Sequence, residues 1–152
     1  METRQVYIDT SVIGGVFDPE FQLFSEMFFQ LAREEKIRLM FSTILTEELV
    51  NAPQRVKTFY EELRQNCSYT DLTPSPISRQ LAQAYIDHNV VGRTSLNDCL
   101  HIAIATSANA DFLASWNFKH IVNVNRIHGF NSVNLRLGYP HLEIRNPREF
   151  VL

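Results

Sequence analysis

The chain has little that would staple it, anchor it or spread it over a polyanion. Cysteine occurs twice, at Cys67 and Cys99, with neither the spacing of a metal-ligand set nor the density of a disulfide framework. Both read as ordinary thiols of a reducing compartment. No apolar run approaches the ~20 residues that a membrane-spanning helix needs. The first residues, Met-Glu-Thr-Arg-Gln, lack an apolar signal core. These absences exclude a membrane span and make the cytoplasm the expected location. A basic excess is missing too. Lysine and arginine number 14 against 17 acids, for a net charge of −3. That balance argues against a broadly basic nucleic-acid binder, but leaves room for an acidic site with a local basic rim. Repeats, low-complexity tracts and long linkers are also absent, so residues 1–152 read as one domain.

What is present is a globular composition, 45% hydrophobic and 20% charged, with strands and helices in alternation. Val6–Ile8 is an apolar strand. Phe21, Phe24, Met27, Phe28, Leu31 and Ala32 recur at helical spacing, which predicts a helix over Glu20–Lys36. On that helix Phe21, Phe24 and Phe28 form a core stripe, while Phe29 and Phe17 lie off it as candidates for a partner surface. Arg38–Ser42 reads as a strand, Thr43–Ala52 and Gln54–Gln65 as helices, and Ser68–Leu72 as a third strand. Pro76–Asn89 and Ser95–Asn109 are helical, with Gly92 as the break between them. Phe112–Ser115 is a strand, Asn123–Leu137 contains a helix, and His141–Arg145 is a last strand. The alternation predicts a mostly parallel sheet covered on both faces.

Carboxylates stand out against this background. Asp9 follows the first strand directly, with Thr10 and Ser11 behind it, and ligands of open α/β sheets bind beyond the strands' carboxyl ends. At about 100° per residue, Ile44, Leu45, Leu49 and Ala52 define an apolar arc that contains Glu48 and excludes Glu47. A carboxylate on that arc needs a basic side chain or a cation beside it. Asp98 has two readings. Ser95-Leu96-Asn97-Asp98 spells a capping box before an apolar run, yet Asn97, Asp98 and His101 gather at one end of an otherwise apolar helix, as cleft residues would. His101 itself reads as a satisfied core histidine. Asn117 falls just past the fourth strand, where it is either a turn residue or a carbonyl ligand to a hard cation. Converging carboxylates repel by roughly 4 kcal/mol at about 4 Å and an effective dielectric near 20. Mg²⁺ or Mn²⁺ on oxygen ligands removes that cost and points to phosphodiester hydrolysis.

Four segments carry a family resemblance: Tyr7-Ile8-Asp9-Thr10-Ser11, Thr46-Glu47-Glu48-Leu49, Asp98-Cys99-Leu100-His101-Ile102-Ala103-Ile104-Ala105, and Ser115-Trp116-Asn117. In order and spacing they resemble the four motifs of the PIN domain, most closely those of VapC-like toxin ribonucleases. The resemblance implies a three-layer αβα fold and endonucleolytic cleavage of RNA with Mg²⁺ or Mn²⁺. It also implies a homodimer silenced by a cognate antitoxin. Carried over, it assigns catalysis and metal binding to Asp9, Glu48 and Asp98, with Asn117 as a weaker fourth ligand where many members have Asp. Ser11 or Thr10 would orient metal or water. By position, Arg93, Lys119 and His120 are either RNA-phosphate contacts or ordinary surface residues. A non-catalytic interaction module is the alternative. A phosphoacceptor role for Asp9 is disfavoured, because the second position after it is Ser11 rather than an acid.

Overall fold

A computed structural model describes residues 3–92 and 95–151. Its centre is a five-stranded sheet in the order β3-β2-β1-β4-β5, built from β1 (Arg4–Ile8), β2 (Ile37–Ser42), β3 (Tyr69–Leu72), β4 (Phe112–Ala114) and β5 (Glu143–Arg145). Every pairing is parallel. Parallel neighbours need crossover helices, and these supply the outer layers: α1 (Thr10–Gly15), α2 (Gln22–Arg33), α3 (Thr43–Glu48), α4 (Gln54–Asn66), α5 (Pro76–Asp87), α6 (Leu96–Ser107), α7 (Val124–Arg136) and α8 (Arg148–Val151). The result is the expected α/β architecture, with a sheet between two helical layers.

The period-2 alternation of the strands sorts the core into two halves. Val6, Ile8, Leu39 and Phe41 face one layer, where Phe28 and Phe29 of α2 and Tyr60 and Leu63 of α4 pack. Tyr7 and Met40 face the other, where α5 and α6 contribute Leu81, Tyr85, Cys99, Ile102 and Ala103. Strands buried on both faces explain the near-continuous apolar runs Val6–Ile8 and Leu39–Phe41. Burial pushes the Cys99 thiol up to about 12, consistent with an inert core residue.

Two short helices escape the periodicity. In α1, Thr, Ser, Val, Ile and two glycines are poor helix formers, and the helix is held by the Asp9 side chain, which caps it by accepting from the Ser11 N–H, and by burial of Val12 and Ile13. The tail helix α8 lies on α2, with Phe150 edge-on to Phe28 and Phe112 at 5.3 Å. The Thr43–Ala52 helix is shorter than its pattern, since α3 stops at Glu48 and turns. The partner-surface expectation is overturned for Phe29, while Phe17 stays partly exposed. Phe29 is wholly buried, and Phe17 packs edge-on against Phe59. Phe21 and Phe24, placed on the core stripe, are instead half-exposed.

Candidate active site

The sheet's strand order reverses between β1 and β4, and in open α/β sheets this switch point is where a crevice forms. Register places Ile8 against Ala114, so the next residues, Asp9 and Ser115, meet at the mouth of that crevice. Asp9 is only 4% exposed. Its Oδ1 accepts from the Ser11 N–H at 3.1 Å and the Ser11 hydroxyl at 2.6 Å. Its Oδ2 accepts from the Ser115 hydroxyl at 2.5 Å. Each serine in turn accepts from the loop after β4: Ser11 Oγ from the Trp116 N–H at 2.8 Å, and Ser115 Oγ from the Asn117 N–H at 2.9 Å. Burial raises the Asp9 carboxyl above the usual range, despite the opposing effects of His101 and the two serines.

Glu48 ends α3 across the cleft from Asp9, its side chain 29% exposed. Its Oε1 accepts from the Thr10 hydroxyl at 2.8 Å and from His101 Nε2 at 2.6 Å. His101 is 1% exposed. Its Nδ1 meets the Tyr7 hydroxyl at 2.7 Å, and that hydroxyl meets Ser42 Oγ at 2.8 Å. Nε2–H donates to the Glu48 carboxylate, and the Tyr7 hydroxyl links Nδ1 to Ser42. Burial pushes the Glu48 carboxyl up, but the His101 hydrogen bond and charge, with Thr10, outweigh it and hold the group below its usual range.

Asp98 lies in the first turn of α6, half-buried. The capping box spelled by the sequence does not form, because Ser95 at the N-cap makes no side-chain cap bond. Burial raises the Asp98 carboxyl, the charge of Asp9 raises it further, and His101 and His120 oppose the rise. Asp9, Glu48 and Asp98 therefore share one electrostatic site. Asn117 takes its turn role: its Oδ1 accepts from the His120 N–H at 3.0 Å, and its carbonyl accepts from Ile121 and Val122.

The donor set fits a hard divalent cation in chemistry. Asp9 and Asp98 are oxygen donors that burial and neighbouring carboxylates, Glu48 for Asp9 and Asp9 for Asp98, press toward neutrality, the condition a cation relieves. The full ligand set inferred from the motifs is not preformed. Among the described residues, no three His, Cys, Asp or Glu side chains stand together at metal-holding spacing. Two carboxylates still suffice for Mg²⁺, which keeps several waters and completes its shell with substrate phosphates.

No protein-family profile matches the chain, and no curated protein matches its sequence. Solved structures do. VapBC2 from Rickettsia felis, bound to a DNA fragment from their promoter, superposes with a TM-score of 0.59 at 14% identity, over 93% of this chain and 98% of that one. DNA-bound VapBC from Salmonella typhimurium matches with a TM-score of 0.59 at 17% identity, over 95% and 99%. The chain has the PIN-domain fold of VapC proteins. At these identities the likeness establishes fold alone.

Within this PIN fold, hydrogen bonds join Asp9 to Ser11 and Glu48 to Thr10, and the charges of Asp9 and Glu48 act on Asp98. Lys119 is exposed on the turn after Asn117 and His120 is half-buried there, while Arg93 lies outside the described residues. Sequence reasoning missed Ser115, Tyr7 and Ser42 as parts of the site and left His101 among the core. Ser42 had a readable signal, since it ends β2 as Asp9 ends β1. The role of His101 had none, because Glu48 is 53 residues away and Tyr7 is 94.

Proposed function

We propose that this protein is a metal-dependent endoribonuclease acting as the toxin of a VapBC-like pair. The observation that carries the reading is the coupling of Asp9 and Asp98. Both carboxyls are raised by burial at the switch point of a PIN fold, and the charge of Asp9 raises Asp98 further, an arrangement that is unfavourable for stability and useful for holding a cation. When bound, Mg²⁺ or Mn²⁺ supplies Lewis-acid stabilisation of the phosphate and a water of lowered pKa. Asp9 and Asp98 would hold it. Ser11 and Ser115 fix both Asp9 oxygens and so set the direction of the remaining lone pairs. Glu48 is ionised at neutral pH, and its Oε2, which has no partner among the described residues, orients the attacking water. His101 keeps that carboxylate in place. Lys119 and His120 meet the RNA backbone. The structural neighbours are VapBC proteins, which supports an antitoxin partner for this chain, and the resemblance of the motifs supports a homodimer.

The test is cleavage of single-stranded RNA with Mn²⁺ and with EDTA, by the parent and by Asp98→Asn. Metal-dependent cleavage that Asp98→Asn abolishes, with the thermal midpoint retained, supports the reading. A second reading, a non-catalytic PIN module, has its own observation in the absence of a preformed three-ligand group among the described residues. RNA binding without cleavage under every metal condition would favour it.

A further inference from the structure

Beside the acid site lies an aromatic shelf with no part in the metal chemistry. Phe21 stacks on Trp116 at 4.4 Å and 23°, and Phe118 closes the group at 6.3 Å from Phe21 and 6.1 Å from Trp116. The shelf is held rigidly. Trp116 Nε1 donates to Ser25 Oγ at 2.8 Å, and its backbone N–H donates to Ser11 Oγ. A Cβ on Gly15 would stand 2.7 Å from the indole nitrogen, so the glycine is what lets Trp116 sit so close to α1. Trp116 is 8% exposed, whereas Phe118 is 47% exposed and Phe21 is half-exposed. The cleft above them, about 340 Å³, is lined also by Phe24, Arg148, Asn146 and Glu20.

We infer that this shelf, with Phe118 as its exposed face, is a stacking subsite for an unpaired nucleobase of the RNA whose phosphate lies at Asp9. The inference rests on the nuclease reading and names a feature of its substrate. Three observations favour a base over other occupants. The first is continuity: Ser115 binds Asp9, Trp116 binds Ser11, and Phe118 follows within about 11 Å of Ser115 at 3.8 Å per residue. At stacked spacing of ~3.4 Å that is about three nucleotides from the reacting phosphate. The second is charge. Arg148 lines the cleft and Lys119 adjoins Phe118 on the same turn, so a strand leaving the acidic site meets positive charge. The third is the make-up of the floor. Fixed aromatic faces bind bases of single strands without regard to sequence, and Glu20 on the rim repels a phosphate while accepting from a base amino group. A duplex keeps its bases stacked on each other, so the subsite selects unpaired RNA.

Trp116 is the only tryptophan in the chain, so its fluorescence reports the shelf directly. A mixed-sequence single-stranded RNA dodecamer and an abasic strand of equal length are titrated in EDTA, where no cleavage intervenes. Expected are quenching by the dodecamer, about tenfold weaker binding of the abasic strand, and about tenfold weaker dodecamer binding by Phe118→Ala with the thermal midpoint kept. Phe118→Tyr restores parental affinity. Equal affinity of parent and Phe118→Ala, or of dodecamer and abasic strand, overturns the subsite. If the parent cleaves RNA with Mn²⁺ and Phe118→Ala matches it in KM and affinity, the subsite alone falls, and the shelf is a surface for a protein partner. If the parent neither binds nor cleaves RNA, the nuclease reading falls and the subsite with it.

Discussion

Tyr7→Phe is the sharpest probe of how the cleft is held together. The substitution keeps the ring, which is fully buried, and removes one oxygen that serves two partners, Ser42 Oγ at 2.8 Å and His101 Nδ1 at 2.7 Å. Ser42 is wholly buried and His101 is 1% exposed, so water does not readily replace the lost group. A buried polar atom left without its partner costs about 1–3 kcal/mol. Two such atoms predict a loss of roughly 2–6 kcal/mol, a large share of the 5–15 kcal/mol typical of a domain. At about 2–4 °C per kcal/mol for a chain of this size, the midpoint should fall by roughly 4–24 °C. Urea unfolding of the metal-free protein measures it directly. Adding Ser42→Ala to Tyr7→Phe removes one orphan, so the double variant should be less destabilised than the sum of the singles by about 1 kcal/mol. A Tyr7→Phe loss under 0.5 kcal/mol, or strict additivity with Ser42→Ala, would refute the hydrogen-bonded chain from Ser42 to Glu48.

Three further outcomes follow from the same geometry. Because the folded-state carboxyls of Asp9 and Asp98 are raised above their unfolded values, the folded protein holds more protons, so the stability these groups favour is full at acid pH and falls as pH rises through their folded values. Metal-free urea titrations from pH 4 to 7 should show that decline, and it should be shallower in Asp98→Asn; an unchanged slope would count against the Asp9–Asp98 coupling. Glu48→Gln should cut cleavage at least tenfold, while Glu47→Gln, fully on the solvent side, should change stability by under 0.5 kcal/mol and leave kcat unchanged; equal effects would mean that α3 is misphased. Gly15→Ala forces a methyl to 2.5 Å from Ser25 Oγ and 2.7 Å from Trp116 Nε1, so it should cost about 1–3 kcal/mol and shift the tryptophan emission, and a neutral variant would show that the shelf is soft.

Much of this arrangement can be read from the sequence where a local pattern reports a global fact. Val6–Ile8 followed by an acid is a local pattern, and so is the arc that separates Glu48 from Glu47. Both hold in the structure, Glu48 turning to the cleft and Glu47 to solvent. The basic partner that the arc demanded is His101. Its ring reads as core because Leu100 and Ile102 beside it are core, and only the approach of α3 reveals that it serves Glu48. The Ser95–Asp98 pattern misleads in the opposite direction, since a capping box is spelled and not made. Helix α1 hides because it is only six residues of poor helix formers, held by the Asp9 cap and by burial of Val12 and Ile13. Phe21 and Phe29 exchange places for a related reason: helical spacing gives the angle between residues, but the sheet and Trp116 decide which face is covered.

The strand order also governs the birth of the molecule. β1 leaves the ribosome before the other strands and lies at the centre of the sheet, yet one of its two neighbours, β4, begins more than a hundred residues later. Until then the nascent sheet is β3-β2-β1 with the inner edge of β1 bare, an edge that invites foreign strands. The same delay keeps Asp9 apart from Ser115, so the hydrogen bonds that hold both Asp9 oxygens are completed only when β4 docks. A ribosome stalled before β4 thus presents a bare strand edge and an Asp9 whose serine cradle is unfinished.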